Sequence, residues 1–212
     1  QRVEADWQAG KISLAAAAQN RPTVFLDRDG TLNVERGFLR TPEGLELLPN
    51  VGPALRSLRQ AGFQLVVLTN QPVIARGEAS EAVVTDIHRR LEWELGKEGA
   101  YLDGVYFCPH HPDRGFPGER AELKIACDCR KPGTGLFERA CRDLHVDVEG
   151  SWMIGDQTRD IELARRARLH SVLVQTGVAG QDGKFQAMPE FVAADLAAAA
   201  AIILQNKKVS AR

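Results

Sequence analysis

The stretch Val24-Phe25-Leu26-Asp27-Arg28-Asp29-Gly30-Thr31 decides the fold. Three apolar residues run straight into two aspartates, a glycine and a threonine. A strand that is apolar at every position is covered on both faces, the habit of parallel sheets. Ligands of open α/β sheets sit beyond the carboxyl ends of the strands. Asp27 therefore stands at the mouth of a site, with Asp29 two residues on and Gly30 free to turn the chain away. Two carboxylates so close suit phosphoryl chemistry. One can hold a hard cation such as Mg2+ and attack phosphorus. The other can give a proton to the leaving oxygen and later take one from water. A strand followed by an Asx-type turn with solvated acids would read the same way in isolation.

The pattern recurs outward from there. Residues 63–68 form a second apolar run, ending on Thr69-Asn70-Gln71, whose hydroxyl and amides suit hydrogen bonds to phosphoryl oxygens. Residues 104–107 are a third, 151–156 a fourth that again ends on Gly-Asp, and 171–174 a fifth. Helices fill the intervals. Asn50 caps one with Val51, Leu55 and Leu58 inward, and Gly62 ends it. Ser80 caps another over 80–98, with Val84, Ile87, Leu91 and Leu95 inward and His88 read as solvated. Residues 134–144 put Phe137, Cys141 and Leu144 on one face, which makes Cys141 a small core residue. Residues 158–169 and the alanine-rich 195–204 complete the set. The alternation predicts an α/β fold with a doubly wound, Rossmann-like parallel sheet. Residues 32–49, with Gly37, Pro42 and Gly44, read as a flap beside the acidic mouth. Ile74-Ala75-Arg76-Gly77 reads as a loop that brings a cation to it.

The chain has 212 residues, with 27 basic and 28 acidic side chains. That length suits one domain carrying an insertion. Residues 22–212 are expected to form a single domain. Residues 1–21, with Trp7, Ile12 and Leu14, are an N-terminal extension that either packs on it or links it onward. The balanced charge gives no support to nucleic acid as a partner. No apolar run has transmembrane length and none reads as a signal peptide, so no membrane partner is expected. Four cysteines, three of them clustered, fit a reducing cytoplasm better than a disulfide scaffold. A monomer is expected.

Cys108-Pro109-His110 and Cys127-Asp128-Cys129 bring three thiols and an imidazole to the two ends of a polar insert over 108–130. Zn2+ favours four such ligands in a tetrahedron, and a filled set is structural rather than catalytic. Metal binding would supply folding energy that so apolar-poor a loop lacks. Unligated thiols, or a disulfide from Cys108 to Cys127 or Cys129, are the other readings, and His111 is the competing imidazole. Arg130-Lys131 follow the last thiol directly. A planar Arg fork suits a phosphate, and a lysine can neutralise a transferring phosphoryl group. Arg76 and Arg130 together fit a second phosphate.

Asp27-Arg28-Asp29-Gly30-Thr31, Thr69-Asn70, Lys131 and Gly155-Asp156 stand in the order of the four motifs of the haloacid dehalogenase superfamily of phosphotransferases. The chain resembles that family over residues 22–176. The resemblance implies a sheet of haloacid dehalogenase type without a cap domain, because 32–49 is too short for one. It implies Asp27 as nucleophile and Asp29 as acid and base. Mg2+ would lie on Asp27, the Asp29 backbone carbonyl and Asp156, with Thr69 and Lys131 on the phosphoryl group of a small phosphorylated substrate. The Cys-x-His and Cys-x-Cys insert joined to Arg-Lys-Pro is similar to that of two groups of zinc-containing phosphatases. One group acts on heptose 1,7-bisphosphate and the other on histidinol phosphate. Ile74-Ala75-Arg76-Gly77 leans to the first, and residues 154–161 lean to the second. The resemblance further implies Arg130 on a remote phosphate and Glu35, Arg36, Gly37, Phe38, Asn70 and Gln71 around the substrate. Pro72-Val73 replace the Ser-Gly, and Gln157 the Lys, that heptose enzymes tend to carry. Asp160 is read as a first-turn acid complementing its helix dipole, with a share in the metal site as the alternative. A zinc-stabilised interaction domain without catalysis is the rival of another class.

Overall fold

The computed structural model describes residues 20–210, so Trp7, Ile12 and Leu14 lie outside the described residues. In chain order it contains β1 (Arg21–Leu26), α1 (Val51–Gln60), β2 (Gln64–Asn70), α2 (Glu81–Lys97), β3 (Gly104–Cys108) and α3 (Gly135–Leu144). Then follow β4 (Val146–Gly155), α4 (Thr158–Ala167), β5 (His170–Val174), β6 (Phe191–Ala193) and α5 (Leu196–Ser210). The strands form one parallel sheet in the order β3-β2-β1-β4-β5-β6. The order reverses between β1 and β4, the switch point where such sheets open a crevice for ligand.

Successive strand residues face opposite sides, and β1 shows the consequence. Val24 and Leu26 pack with Leu55, Leu58, Leu91 and Ile203 of α1, α2 and α5. Phe25 faces the other layer, with Phe137 of α3 and Leu163 of α4. The Phe25 and Phe137 rings meet edge to face, 5.3 Å between centroids. Both layers exclude water, so the middles of the central strands are apolar, and the buried polar residues at their starts pair with one another: the Thr23 hydroxyl donates to Gln64 Oε1 at 3.0 Å and the Thr23 N–H to Ser151 Oγ at 2.8 Å.

Some expectations need correction. A sixth strand, Phe191–Ala193, pairs with β5; three residues are too few to show a period in sequence. β4 starts at Val146, ahead of its apolar core, because its outer half pairs with the start of β1 across an irregularity between Pro22 and Val24. Asn50 precedes α1, but in left-handed backbone, φ 62°, and its side chain caps nothing. Ser80 does cap α2, accepting the Val83 N–H at 3.2 Å. His88 is not solvated: it is buried, against Arg28 and Phe107. Cys141 is half-buried against the α3 and α4 layer, and burial pushes its thiol up to about 11. Among the described residues no helix is long and apolar enough to cross a membrane.

Candidate active site

Asp27, Thr69 and Asp156 come together because each ends or follows a strand that pairs at the switch point. The Asp27 N–H donates to the Ile154 carbonyl at 2.9 Å, which sets the end of β1 beside the end of β4. Asp27 is buried, and its Oδ1 accepts the Arg28 N–H at 2.7 Å. Lys131 Nζ lies 2.8 Å from Asp27 Oδ1 and 2.7 Å from Asp160 Oδ1. Burial pushes Asp27 up to about 6 against the pull of Lys131, with Asp160 and Asp29 adding repulsion. Asp160 also accepts the Gln157 N–H at 3.1 Å. It is thus both a helix first-turn acid and the second anchor of Lys131.

Asp156 is fully buried. Its Oδ2 accepts the Val178 N–H at 2.7 Å, while its buried Oδ1 has no hydrogen-bond partner. Burial, then repulsion from Asp27 and Asp160, pushes it up to about 8. Carboxylate oxygens of Asp27, Asp156 and Asp160 all lie within 4.8 Å of one another. An orphaned oxygen among mutually repelling carboxylates fits a hard divalent cation such as Mg2+. Two glycines make room for the Asp156 carboxylate. A Cβ on Gly30, φ 80°, would lie 2.4 Å from Asp156 Oδ2, and one on Gly177, φ 62°, 2.3 Å.

Asp29 is the most hydrogen-bonded carboxylate of the site. Arg28 donates to both its oxygens at 2.8 to 3.1 Å, Asn33 to Oδ1 at 3.0 Å and Gln71 to Oδ2 at 3.0 Å. These donors outweigh burial and hold Asp29 below the usual carboxylate range, in the form that accepts a proton. Gln71 also donates to Thr69 Oγ1 at 2.9 Å. Gln71 therefore orients two site residues and is not part of the cleft wall.

The cleft above these groups is lined by Glu35, Gly37, Phe38, Asn70, Arg76 and Arg130, as the sequence led us to expect. Arg36 is not among its walls; it pairs with exposed Glu46. Asn70 does reach the wall, but its amide is committed to the main chain of Lys131. The Arg76 guanidinium lies between the Phe38 and Phe116 rings, 4.5 and 4.4 Å from their centroids, and so joins the flap to the insert. Arg159, Lys184 and His111 also line the cleft. Burial and the charges of Arg159 and Arg76 hold Arg130 below its usual range, and Arg159 does the same to Lys184. Such mutual repulsion among cations is relieved by an anion. One signal for Arg159 was present: a cation in the first turn of a helix opposes the dipole and needs another reason to be there. Lys184, in a loop of glycines and polar residues, had none.

At the base of the insert, the Cys108, Cys127 and Cys129 sulfurs lie 3.2 to 3.6 Å apart, too far for a disulfide. His110 Nδ1 is 3.2 Å from Cys129 Sγ and 3.7 Å from Cys108 Sγ. The four ligand atoms all lie within 4.8 Å of one another. A tetrahedron with Zn–S bonds of about 2.3 Å has edges near this size, so the set fits zinc. His111 points elsewhere: its Nδ1 accepts the Asp113 N–H at 3.2 Å. The Arg130 guanidinium donates to the His110 carbonyl at 3.3 Å, tying the cleft cation to the cluster.

Comparison with known proteins agrees with this geometry. The HAD-hydrolase-like family profile matches residues 128–199. The chain is 42% identical to D-glycero-beta-D-manno-heptose-1,7-bisphosphate 7-phosphatase of Escherichia coli O6:H1 over 161 residues, 76% of this chain and 83% of that protein. It is 41% identical to the enzyme of the same name from Yersinia pestis, over 75% of this chain and 83% of the relative. The crystal structure of D,D-heptose 1,7-bisphosphate phosphatase from B. bronchiseptica, complexed with magnesium and phosphate, superposes with a TM-score of 0.73 at 34% identity. That superposition covers 87% of this chain and 99% of the other. Relatives alike over most of their length, all of them named phosphatases, leave no place for a non-catalytic interaction domain: the chain belongs to the haloacid dehalogenase-like hydrolases and is a phosphatase.

Proposed function

We propose that the enzyme removes the 7-phosphate of D-glycero-D-manno-heptose 1,7-bisphosphate through an aspartyl-phosphate intermediate. The observation that carries this reading is the pairing of a nucleophile cluster with a separate set of cations, Arg76, Arg130, Arg159 and Lys184, across one cleft. One end takes the phosphoryl group to be transferred and the other a second phosphate. The names of the relatives, several of them heptose 1,7-bisphosphate 7-phosphatases, support the choice of sugar.

Asp29, ionised at rest, takes up a proton as the anionic substrate binds; in the first step Asp27 attacks phosphorus, the bond to the sugar oxygen breaks, and Asp29 passes that proton to the leaving oxygen. In the second, Asp29 takes a proton from water as the water oxygen attacks the same phosphorus, and Asp27 is restored. Thr69 and Lys131 steady the charge on the equatorial oxygens. Asp27, Asp156 and the Asp29 backbone carbonyl would hold Mg2+, which when bound offsets the repulsion between an anionic nucleophile and an anionic phosphate. Glu35, Gly37 and Phe38 shape the cleft from the flap side. Cys108, His110, Cys127 and Cys129 would hold a structural Zn2+ that sets the direction of Arg130 and Lys131. Residues 22–212 act as one phosphatase domain and residues 1–21 as an extension. We place the enzyme in the cytoplasm as a monomer, serving carbohydrate metabolism of the lipopolysaccharide kind, with no nucleic acid or membrane partner.

The test is phosphate release with Mg2+ from heptose 1,7-bisphosphate and from histidinol phosphate, side by side. Strong preference for the bisphosphate is expected. Preference for histidinol phosphate would overturn the substrate and keep the chemistry.

A further inference from the structure

Arg28 sits between the two aspartates of the site, yet the mechanism gives it nothing to do. Its side chain is wholly buried, so it can touch neither substrate nor metal-bound water. Two of its nitrogens are spent on Asp29: Nε to Oδ1 at 3.1 Å, and Nη2 to Oδ1 at 2.9 Å and Oδ2 at 2.8 Å. The remaining Nη1 lies 3.1 Å from His88 Nε2. A guanidinium has donors only. His88 Nε2 must therefore accept, which makes His88 a neutral imidazole with its proton on Nδ1. Burial, then the charge of Arg28, pushes His88 down to about 3, so it stays neutral wherever the enzyme works. The ring is held in turn by Phe107 of β3, 5.4 Å between centroids.

We propose that Arg28 and His88 are positioning residues that fix the carboxylate of Asp29 for proton transfer to the leaving oxygen. The inference rests on the role proposed above for Asp29. Removing a guanidinium from water is costly and one carboxylate alone does not offset it. The neutral acceptor on α2 satisfies the third direction of the fork, so the guanidinium plane has one orientation and, with the Asn33 and Gln71 amides on the same two oxygens, fixes the carboxylate plane. A lysine would keep the charge but lose the fork. A displacement of about 1 Å at a reacting group can cost on the order of a hundredfold in rate. α2 and β3 thus reach the chemistry through two buried side chains that never meet the substrate.

The test compares kcat/KM for two esters, normalised to folded enzyme. Heptose 1,7-bisphosphate loses a sugar alkoxide that needs a proton. p-Nitrophenyl phosphate loses a phenolate that needs none. kcat/KM reports only the steps through the first transfer, so the water-activating half of the cycle does not blur the comparison. His88→Leu keeps the volume and removes the acceptor; His88→Gln restores an acceptor. His88→Leu is expected to lower kcat/KM on the heptose ester by about tenfold or more beyond its effect on the nitrophenyl ester. His88→Gln is expected to recover most of that difference, with the Mg2+ dependence unchanged in both. Arg28→Lys is expected to behave like His88→Leu. Equal losses on the two esters, no loss on either, or a glutamine variant no better than the leucine one would overturn the proposal. If the wild-type enzyme leaves the heptose ester untouched, the substrate reading fails instead. The same comparison with any alkyl phosphate it hydrolyses then still decides on Arg28 and His88.

Discussion

Asn70 grips the main chain of Lys131 from both sides, accepting its N–H on Oδ1 at 2.9 Å and donating to its carbonyl from Nδ2 at 3.1 Å. The end of β2 thereby sets where the Lys131 ammonium stands beside Asp27. Asn70→Ala leaves a donor and an acceptor partly buried without partners. It is expected to cost about 1–3 kcal/mol of stability and to lower kcat by about tenfold. Urea unfolding and steady-state kinetics on the same preparation check both. A variant as fast and as stable as wild type would show that Lys131 is held by other means.

Asp27 and Asp156 are pushed up to about 6 and about 8. Below those values each carboxyl keeps a proton that a cation must displace. Mg2+ affinity is therefore expected to rise between pH 6 and pH 8, with protons released on binding. Titration calorimetry in two buffers of different ionisation enthalpy measures that release. In the metal-free protein the same groups bind protons more tightly folded than unfolded. They weaken the fold as pH rises from about 4 towards 8. Mg2+ is thus expected to raise the melting temperature more at pH 8 than at pH 6. An affinity flat across this range would sink the assignment.

One zinc per chain is expected by elemental analysis of the purified enzyme. A strong chelator should remove it, loosen residues 108–130 and lower the melting temperature. Chelation takes Mg2+ as well, so the order of addition is informative. Mg2+ alone should fail to restore activity, and Zn2+ followed by Mg2+ should succeed, because Arg130 and Lys131 leave the cluster together. Full recovery with Mg2+ alone would show that the cluster does not aim them.

Arg130→Ala is expected to raise KM for the bisphosphate by about tenfold or more and for a monophosphate much less, with kcat nearly kept. Arg159→Ala should follow the same pattern more weakly. Equal effects on both substrates would remove the reason for assigning a second phosphate to these cations.

The strands, the helices between them and the acidic rim were legible before folding because each depends on residues that are chain neighbours. Val24 to Leu26 alternate between two dry layers, and Asp27 must follow where the strand ends. The cysteines and His110 declared themselves by spacing and donor type. Arg36 was misjudged because a residue beside the cleft in sequence can turn to solvent, here towards Glu46. His88 was misjudged because helical period separates faces but does not say that a buried guanidinium waits on one of them.

By itself, then, the sequence determined the parallel sheet, the carboxylates at its rim and the metal-type cluster, since those follow from local period, residue type and chain adjacency. Tertiary structure alone decided the rest. Asn70 reaches Lys131 across 61 residues, Lys131 is shared between Asp27 and Asp160, and Gly30 and Gly177 clear the space that Asp156 fills. Such pairings are settled by packing between distant segments, where no residue carries a local sign of its partner.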